Sequence, residues 1–237
     1  MDIPQAGPRR PRVTAIIPAL NEEEAIGPVV EGLVQAGLSD VVVVDNGSDD
    51  ETAGRARQAG ARVVGEPRRG YGAACWAGLQ AAQEADVVLF LDGDGSDDPA
   101  EAYRLLEPLH NGTADLVLGA RIAHGSEAGA LTPQARLGNW VVTRLIRALY
   151  GLQLTDIPSL RAIARKDLER LGMAERTYGW PVEMVVKAAK HGYRIHEVPI
   201  RYRRRRGGTS KVAGTVRGTI LAAWYMLTTT LRHAWRN

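Results

Sequence analysis

Cysteine and phenylalanine each occur only once in this chain of 237 residues. A single thiol, Cys75, excludes an intramolecular disulfide, and the lack of a Cys/His cluster leaves no basis for structural zinc. Such thiol economy fits a reducing compartment. No G-x-G-x-x-G follows the first apolar run and no G-x-x-x-x-G-K-[ST] occurs, which argues against a dinucleotide oxidoreductase and a P-loop nucleotidase. The opening residues, Met1 to Arg12, lack the apolar core of a signal peptide, and residues 1–11 are expected to be a disordered lead-in. Long hydrophobic runs are missing as well. The most apolar stretch, Gly218 to Leu231, falls short of the ~20 residues that span a bilayer. With one Phe and no RNP-like run, an RNA-binding module is poorly supported.

What is present suffices for one core: 45% of residues are hydrophobic, enough to fold without staples. Net charge is only +3, but Arg201, Arg203, Arg204, Arg205, Arg206 and Lys211 crowd one stretch. Such a run is either a solvated face or a site for an anionic partner: nucleic acid, a phospholipid surface or a phosphorylated substrate.

Short β-prone runs at Val13–Ile17, Val41–Val44, Arg62–Val64, Val87–Leu91 and Leu116–Leu118 predict five strands, with Val41–Val44 and Val87–Leu91 continuously apolar as in strands buried on both faces. Between them, helices are expected at Glu22–Ala36, Asp49–Ala59, Gly72–Ala85 and Pro99–His110. Ser48 and Glu51 have the spacing of a capping box for the second of these. The later half predicts a helix at Arg136–Tyr150, with Val141, Val142, Leu145, Ile146 and Leu149 as its apolar set. A strand at Leu160–Ala164, a helix at Pro181–His191 and a strand at Ile195–Tyr202 follow. Alternating strand and helix implies an α/β fold with a mostly parallel central sheet and helices on both faces. No Ser/Gly linker divides the chain, so one catalytic domain is expected over residues 12–211. Residues 212–237 read as an amphipathic helix, lying either at a membrane interface or on the protein's own core.

The strongest chemical signal is Leu91-Asp92-Gly93-Asp94, directly after a buried strand. Ligands of open α/β sheets bind beyond the carboxyl ends of strands. There Asp92 and Asp94 can share a hard divalent cation, Mg²⁺ or Mn²⁺, while Gly93 permits close approach of a diphosphate. Taken alone, the same tetrad is also an acidic turn capping the next helix. It is supported by Pro18-Ala19-Leu20-Asn21-Glu22 after the first strand and Asp45-Asn46-Gly47-Ser48 after the second. Asp45 can accept from a nucleobase N–H or a ribose hydroxyl. Arg68-Arg69-Gly70-Tyr71-Gly72 precedes a helix N-terminus, a place suited to anions.

Together with these segments, R-G-Y-G-A-A at Arg69–Ala74, G-A-R at Gly119–Arg121, G-W-P-V-E-M at Gly179–Met184, E-V-P-I at Glu197–Ile200 and R-x-x-G-x-S-K at Arg205–Lys211 occur in one order along the chain. In that order it resembles the inverting family 2 glycosyltransferases of GT-A fold, within them the dolichol-phosphate mannose and polyprenol-phosphate glucose synthase branch. The resemblance covers nearly the whole chain. It implies transfer of a hexose from a UDP-glucose- or GDP-mannose-class donor to a polyprenyl phosphate. It also implies donor contacts from Pro18, Ala19, Asn21, Glu22, Asp45, Gly70, Asp92 and Gly93, and a metal on Asp92 and Asp94. Arg121, Arg136 and Arg205 would face the phosphates, with Ser210 and Lys211 on the same loop as Arg205. Two departures stand out: Ser96 where the branch often has Gln, and Thr155–Leu160, which lacks the expected Gly and Phe.

An ionised phosphate acceptor needs no general base, whereas a hydroxyl acceptor does, and Asp156 and Glu183 are the carboxylates available. For Glu183 the competing role is a structural carboxylate near a helix start. Trp140 and Trp180 suit core or acceptor-groove surface rather than chemistry. Two other classes stay open: a peripheral membrane or nucleic-acid binding module without catalysis, and a nucleotidyltransferase. The intact D-x-D argues against the first, and the missing phosphate loop against the second. No partner of nucleic-acid type is expected. The enzyme is expected in the cytoplasm, with peripheral contact to the inner face of the membrane.

Overall fold

The five predicted apolar runs all become strands of one sheet. The computed structural model describes residues 11–121, 126–207 and 216–234. Its strands are β1 (Val13–Ala19), β2 (Asp40–Asp45), β3 (Arg62–Gly65), β4 (Val87–Phe90), β5 (Leu116–Ala120), β6 (Arg161–Ala164) and β7 (Ile195–Pro199). They lie in the order β3-β2-β1-β4-β6-β5-β7. β6 alone is antiparallel to its neighbours β4 and β5, and the other pairings are parallel. Six strands therefore end on the same edge.

Helices α1 (Ile26–Gln35), α2 (Thr52–Gln58) and α4 (Ala102–His110) cover one face. The other carries α3 (Tyr71–Ala81), α5 (Pro133–Tyr150), α6 (Arg165–Arg170), α7 (Trp180–Lys190) and α8 (Val216–Ala234). The strands feed both layers by alternation. Ala15, Ile17, Val41, Val43 and Leu89 point into the first core, and Ile16, Val42, Val44, Val88 and Phe90 into the second. That two-sided burial is why these runs read as continuously apolar. Trp180 is a core residue, its ring edge-on to Phe90 with centroids 6.2 Å apart.

Several boundaries differ from expectation. The proposed capping box does not form: α2 begins at Thr52, and its cap position, Glu51, makes no side-chain cap bond. Ser48 Oγ instead accepts from Asn21 N–H (3.0 Å), because tertiary stitching between strand-end loops outcompetes the local cap. The last strand stops at Pro199, which has no N–H to continue a ladder, and Tyr202 keeps only an isolated bridge with Asp97. α6, a short charged helix, was not foreseen. In α5 the buried face is Val142, Thr143 and Ile146, so Val141 and Leu149, expected in the apolar set, are exposed.

Residues 216–234 pack on the domain. Tyr150 Oη donates to Thr230 O (2.6 Å), Arg232 pairs with Glu175 (2.9 Å), and Ala222, Thr229 and Thr230 are buried. Among the described residues, no helix is long and apolar enough to cross a membrane.

α3 approaches β1 so closely at Gly78 that a Cβ there would overlap Ile16 Cγ2 and stand 3.1 Å from Val44 Cγ2. Gly78→Ala is therefore expected to overpack the core and lower stability by about 1–3 kcal/mol. Calorimetric melting checks this, and an unchanged melting temperature would mean that α3 is not seated so tightly.

Candidate functional site

With β1 between β2 and β4, the loops leaving all three meet on one edge of the sheet. Pro18 and Ala19 are still strand, paired with Val44 and Asp45. Asn21 takes the left-handed conformation (φ 54°), which its short amide tolerates. Its Oδ1 accepts from Asp49 N–H (2.9 Å), and Glu22 N–H donates to Thr52 Oγ1 (2.8 Å). Asp45 Oδ1 accepts from Ser48 N–H (2.9 Å). These bonds fix Asp45, Asn21 and Glu22 around one strand end.

Asn46 was missed as a positioning residue. It is buried, donates from Nδ2 to Glu66 O and Arg68 O (2.8 Å each), and accepts from Gly70 N–H at 2.8 Å. A buried amide spending both donor and acceptor capacity this way pins the Arg68–Gly70 loop to β2. The anion-site expectation for that loop is corrected. The N–H groups of Gly72 and Ala73 donate to Thr177 O (3.1 Å) and Arg176 O (2.9 Å), so they are spent on backbone carbonyls. Gly70 (φ 149°) is required because a Cβ would overlap Arg176 O.

Beyond β4, carboxylates crowd together. Asp92 and Asp94 are partly exposed, and Asp97 is fully buried beneath them. Asp97 Oδ2 accepts from Asp92 N–H (3.2 Å) and Ser159 Oγ (2.9 Å), while Oδ1 has no hydrogen-bond partner. Burial and then neighbouring Asp94 push Asp92 up to about 6, with the hydroxyls of Ser159 and Tyr71 pulling the other way. Burial and then Asp92 push Asp97 up to about 7. Burial likewise lifts Glu22 to about 7, against the pull of Arg205. Arg205 bridges Glu22 Oε1 and Asp94 Oδ2, the latter at 3.2 Å. Behind them Arg161, fully buried, spends its guanidinium on backbone carbonyls, including Pro181 O at 2.8 Å. Arg161 was missed in the sequence; a charged residue inside an apolar strand, flanked by Leu160 and Ala162, is the signal that could have found it.

A Cβ on Gly93 would stand 3.2 Å from Ile17 Cγ2 and 3.3 Å from Ile26 Cδ1, so the glycine lets the acidic loop lie close on the core. Among the described residues, no three His, Cys, Asp or Glu side chains converge as an all-protein metal cage. An excess of buried negative charge with an orphaned carboxylate oxygen fits a divalent cation whose remaining ligands are phosphate and water.

The arginine run turns inward rather than presenting a free basic face. Arg201 Nε donates to Glu101 (2.8 Å), Arg203 to Asp98 (2.6 Å), and Arg204 Nε to Ala128 O (2.8 Å). The segment zips along the acidic loop, with Arg203 N–H on Ser96 O (2.8 Å) and Arg206 N–H on Asp94 O (3.0 Å). Arg121 lies over the Tyr202 ring (5.3 Å) and grips Asp156 through two parallel bonds of 2.8 Å. Asp156 is fully buried and also accepts Arg121 N–H and Ile157 N–H, so it is a clamp rather than a base. Glu183 is also fully buried, accepting from Ala174 N–H (3.0 Å) and Glu175 N–H (2.8 Å) and pairing with Lys187 (2.8 Å). Its oxygens serve the turn before α7. Arg136 sits exposed in the first turn of α5. Ser210 and Lys211 lie outside the described residues.

Residues 14–172 match the family model described as Glycosyl transferase family 2. The chain belongs to that family. It is 42% identical to an uncharacterised glycosyltransferase of Mycobacterium tuberculosis, over 89% of this chain and 94% of that one. It is 34% identical to an undecaprenyl-phosphate mannosyltransferase of Micrococcus luteus, over 87% of this chain and 90% of that one. With a dolichyl-phosphate hexose transferase of Haloferax volcanii it shares 36%, over 83% of this chain and 85% of that one. Among solved structures, glucosyl-3-phosphoglycerate synthase of M. tuberculosis, in complex with Mn²⁺, UDP and phosphoglyceric acid, superposes with a TM-score of 0.77. Identity there is 24%, with 96% of this chain and 80% of that chain covered, which shows the shared GT-A fold. This family 2 chain is thus a glycosyltransferase built on the expected mostly parallel sheet.

The raised carboxylates give the enzyme a testable pH dependence. Between their unfolded and folded pKa values the native state binds more protons, so stability falls as pH rises. Glu22, Asp92 and Asp97 act in this direction; His233, whose pKa burial lowers, acts oppositely. The metal-free melting temperature is expected to decline from about pH 5 to about pH 7.5, less steeply in Asp97→Asn. An equal slope in both proteins would contradict the carboxylate account.

Proposed function

We propose that this family 2 enzyme transfers a hexose from a UDP-glucose- or GDP-mannose-class donor to a polyprenyl phosphate, with inversion at the anomeric carbon. The observation that carries the acceptor class is the fate of the two candidate bases. Asp156 is held by Arg121, and Glu183 by Ala174, Glu175 and Lys187. Neither is available to remove a proton, whereas a lipid phosphate is already ionised near neutral pH. The names of the Micrococcus and Haloferax relatives support the same acceptor chemistry.

On the donor side, Asp45 serves the nucleoside, and Pro18, Ala19 and Asn21 shape the strand edge beside it. Gly70, whose N–H is held by Asn46, borders the same end of the sheet. Asp92 and Asp94 would hold Mg²⁺ or Mn²⁺, with the backbone of Gly93 between them beside the diphosphate; a fold neighbour is known with Mn²⁺ and UDP. When bound, the cation supplies Lewis-acid neutralisation of the charge that builds on the departing diphosphate. Glu22 and Asp94 hold Arg205 at the same edge, where its guanidinium faces the phosphates. Arg121, oriented by Asp156, and Arg136, at the start of α5, add cationic forks for the acceptor phosphate, with Ser210 and Lys211 assigned to the same loop as Arg205. Bringing one anion to another is the barrier these arginines address, through bidentate, charge-assisted hydrogen bonds. The lipid acceptor places the enzyme peripherally, on the cytoplasmic face of a membrane.

Asp94→Ala is expected to abolish transfer, and chelation to do so reversibly, while the melting temperature holds. Turnover in chelator would end the metal assignment.

The acceptor is tested by incubating UDP- and GDP-sugars with a short polyprenyl phosphate and identifying products by mass spectrometry. Arg136→Lys and Arg205→Lys are each expected to lose about 1.5–3 kcal/mol of phosphate binding, or about one to two decades in rate. Glu183→Gln should keep most of the rate in folded protein. Inactive Glu183→Gln alongside near-normal arginine variants would mean a hydroxyl acceptor.

A further inference from the structure

Nine large hydrophobic side chains are exposed among the described residues, and seven of them lie on just two helices. α5 contributes Leu137, Trp140, Val141 and Leu149; α8 contributes Leu221, Trp224 and Leu231. These helices pack alongside each other, joined by the bond from Tyr150 Oη to Thr230 O. The exposed apolar groups are thus gathered on one region rather than scattered singly, as they are on an ordinary soluble surface. Trp140 and Trp224 are the most exposed aromatics there, at 53% and 64%. Their outward placement costs apolar exposure unless something covers them.

Charge says what covers them. No Asp or Glu lies between Glu127 and Asp156, nor anywhere after Glu197. Both helices are therefore without acidic residues, while α5 presents exposed Arg136, Arg144 and Arg147 between its apolar groups. Arg144 stacks its guanidinium on the Trp140 ring at 5.3 Å, joining a cation to the most amphipathic side chain of the helix. Arg201, Arg203 and Arg205, by contrast, are paired with Glu101, Asp98, Glu22 and Asp94 within the chain, so α5 adds a basic face separate from that loop.

We infer that α5 and α8 together form a docking platform for an anionic lipid bilayer, with Leu137, Trp140, Val141, Leu221 and Trp224 entering the interface and Arg144 and Arg147 meeting headgroup phosphates. Tryptophan favours the boundary between headgroups and acyl chains, where its ring is buried and its N–H stays hydrated. Cations beside an apolar face add attraction to anionic lipids. Expectation from sequence had placed membrane contact on the C-terminal helix or the arginine run; the platform adds α5. Arg136, assigned to the acceptor phosphate, opens the same helix, so the platform would bring the reaction edge to the lipid that carries the acceptor. This purpose rests on the lipid-acceptor proposal; the binding surface does not.

The experiment uses the full chain without donor or acceptor. Protein is sedimented with sucrose-loaded vesicles of phosphatidylglycerol and phosphatidylcholine, and with phosphatidylcholine alone. Wild type is expected to partition onto the anionic vesicles and weakly onto the neutral ones. Trp140→Ser and Trp224→Ser should each reduce partitioning about tenfold, given the apolar burial each loses. Arg144→Glu should reduce it on anionic vesicles and leave the weak neutral binding unaltered. All three side chains are exposed, so melting temperatures should match wild type, and transfer to a short, detergent-dispersed polyprenyl phosphate should persist. Tryptophan variants that sediment like wild type would overturn the proposal, as would wild type that ignores both vesicles or binds both equally. So would a wild-type dimer in light scattering that the tryptophan variants dissolve, since the platform would then join two copies. Vesicle binding without transfer to the polyprenyl phosphate would uphold the platform and remove the acceptor assignment instead.

Discussion

Holding several carboxylates at one strand edge is the constraint around which this molecule is built. Glu22, Asp92, Asp94 and Asp97 gather where β1 and β4 end; after burial, the charges of Asp92 and Asp94 push Glu22 and Asp97 toward the protonated form, and Asp94 does the same to Asp92. Arg205 offsets part of that charge from a loop far along the chain, and Arg161 lies behind it in the reversed strand. Burying like charges costs free energy, so such a cluster persists only where a ligand or cation draws on it. The sheet supplies the place: six strands ending together gather their loops on one edge.

The reversed strand matters more than its four residues suggest. Inserting β6 between β4 and β5 brings Ser159 and Arg161 under the acidic loop, and brings Asp156 to Arg121. The Arg121–Asp156 fork then fixes a cation at the end of β5 with its plane over Tyr202. Tyr202 in turn bridges to Asp97, so the acidic loop, the end of β5 and the late arginine segment are one network. Such a network specifies geometry because every member leaves another buried charge exposed to cost if removed.

The strands were legible because a doubly covered strand must be apolar throughout, and Val41–Val44 or Val87–Leu91 can hardly be anything else. Asp92 and Asp94 were legible as a carboxylate pair at the sheet edge because the D-x-D directly follows such a strand. The reversed direction of β6 was not, since strand polarity depends on partners distant in sequence. Long-range partners also decided the fate of the arginine run, of Asp156 and of Glu183: a charge looks free in sequence until the fold shows what it faces. Ser48 illustrates the same limit at short range, where a correct capping pattern lost to a bond with Asn21. The missed residues, Asn46, Asp97, Ser159 and Arg161, are all buried polar groups whose value lies in what they hold still.

The account stands most directly on whether Asp92 and Asp94 bind nucleoside diphosphate through a divalent cation. Calorimetric titration of UDP and GDP into the protein, with Mn²⁺ and with chelator, measures this without any assumption about the acceptor. One nucleotide should bind with Mn²⁺ and lose at least about tenfold in affinity in chelator, a difference of about 1.4 kcal/mol. Asp92→Asn should bind equally weakly under both conditions. Metal-independent binding of equal strength in wild type and Asp92→Asn would contradict it.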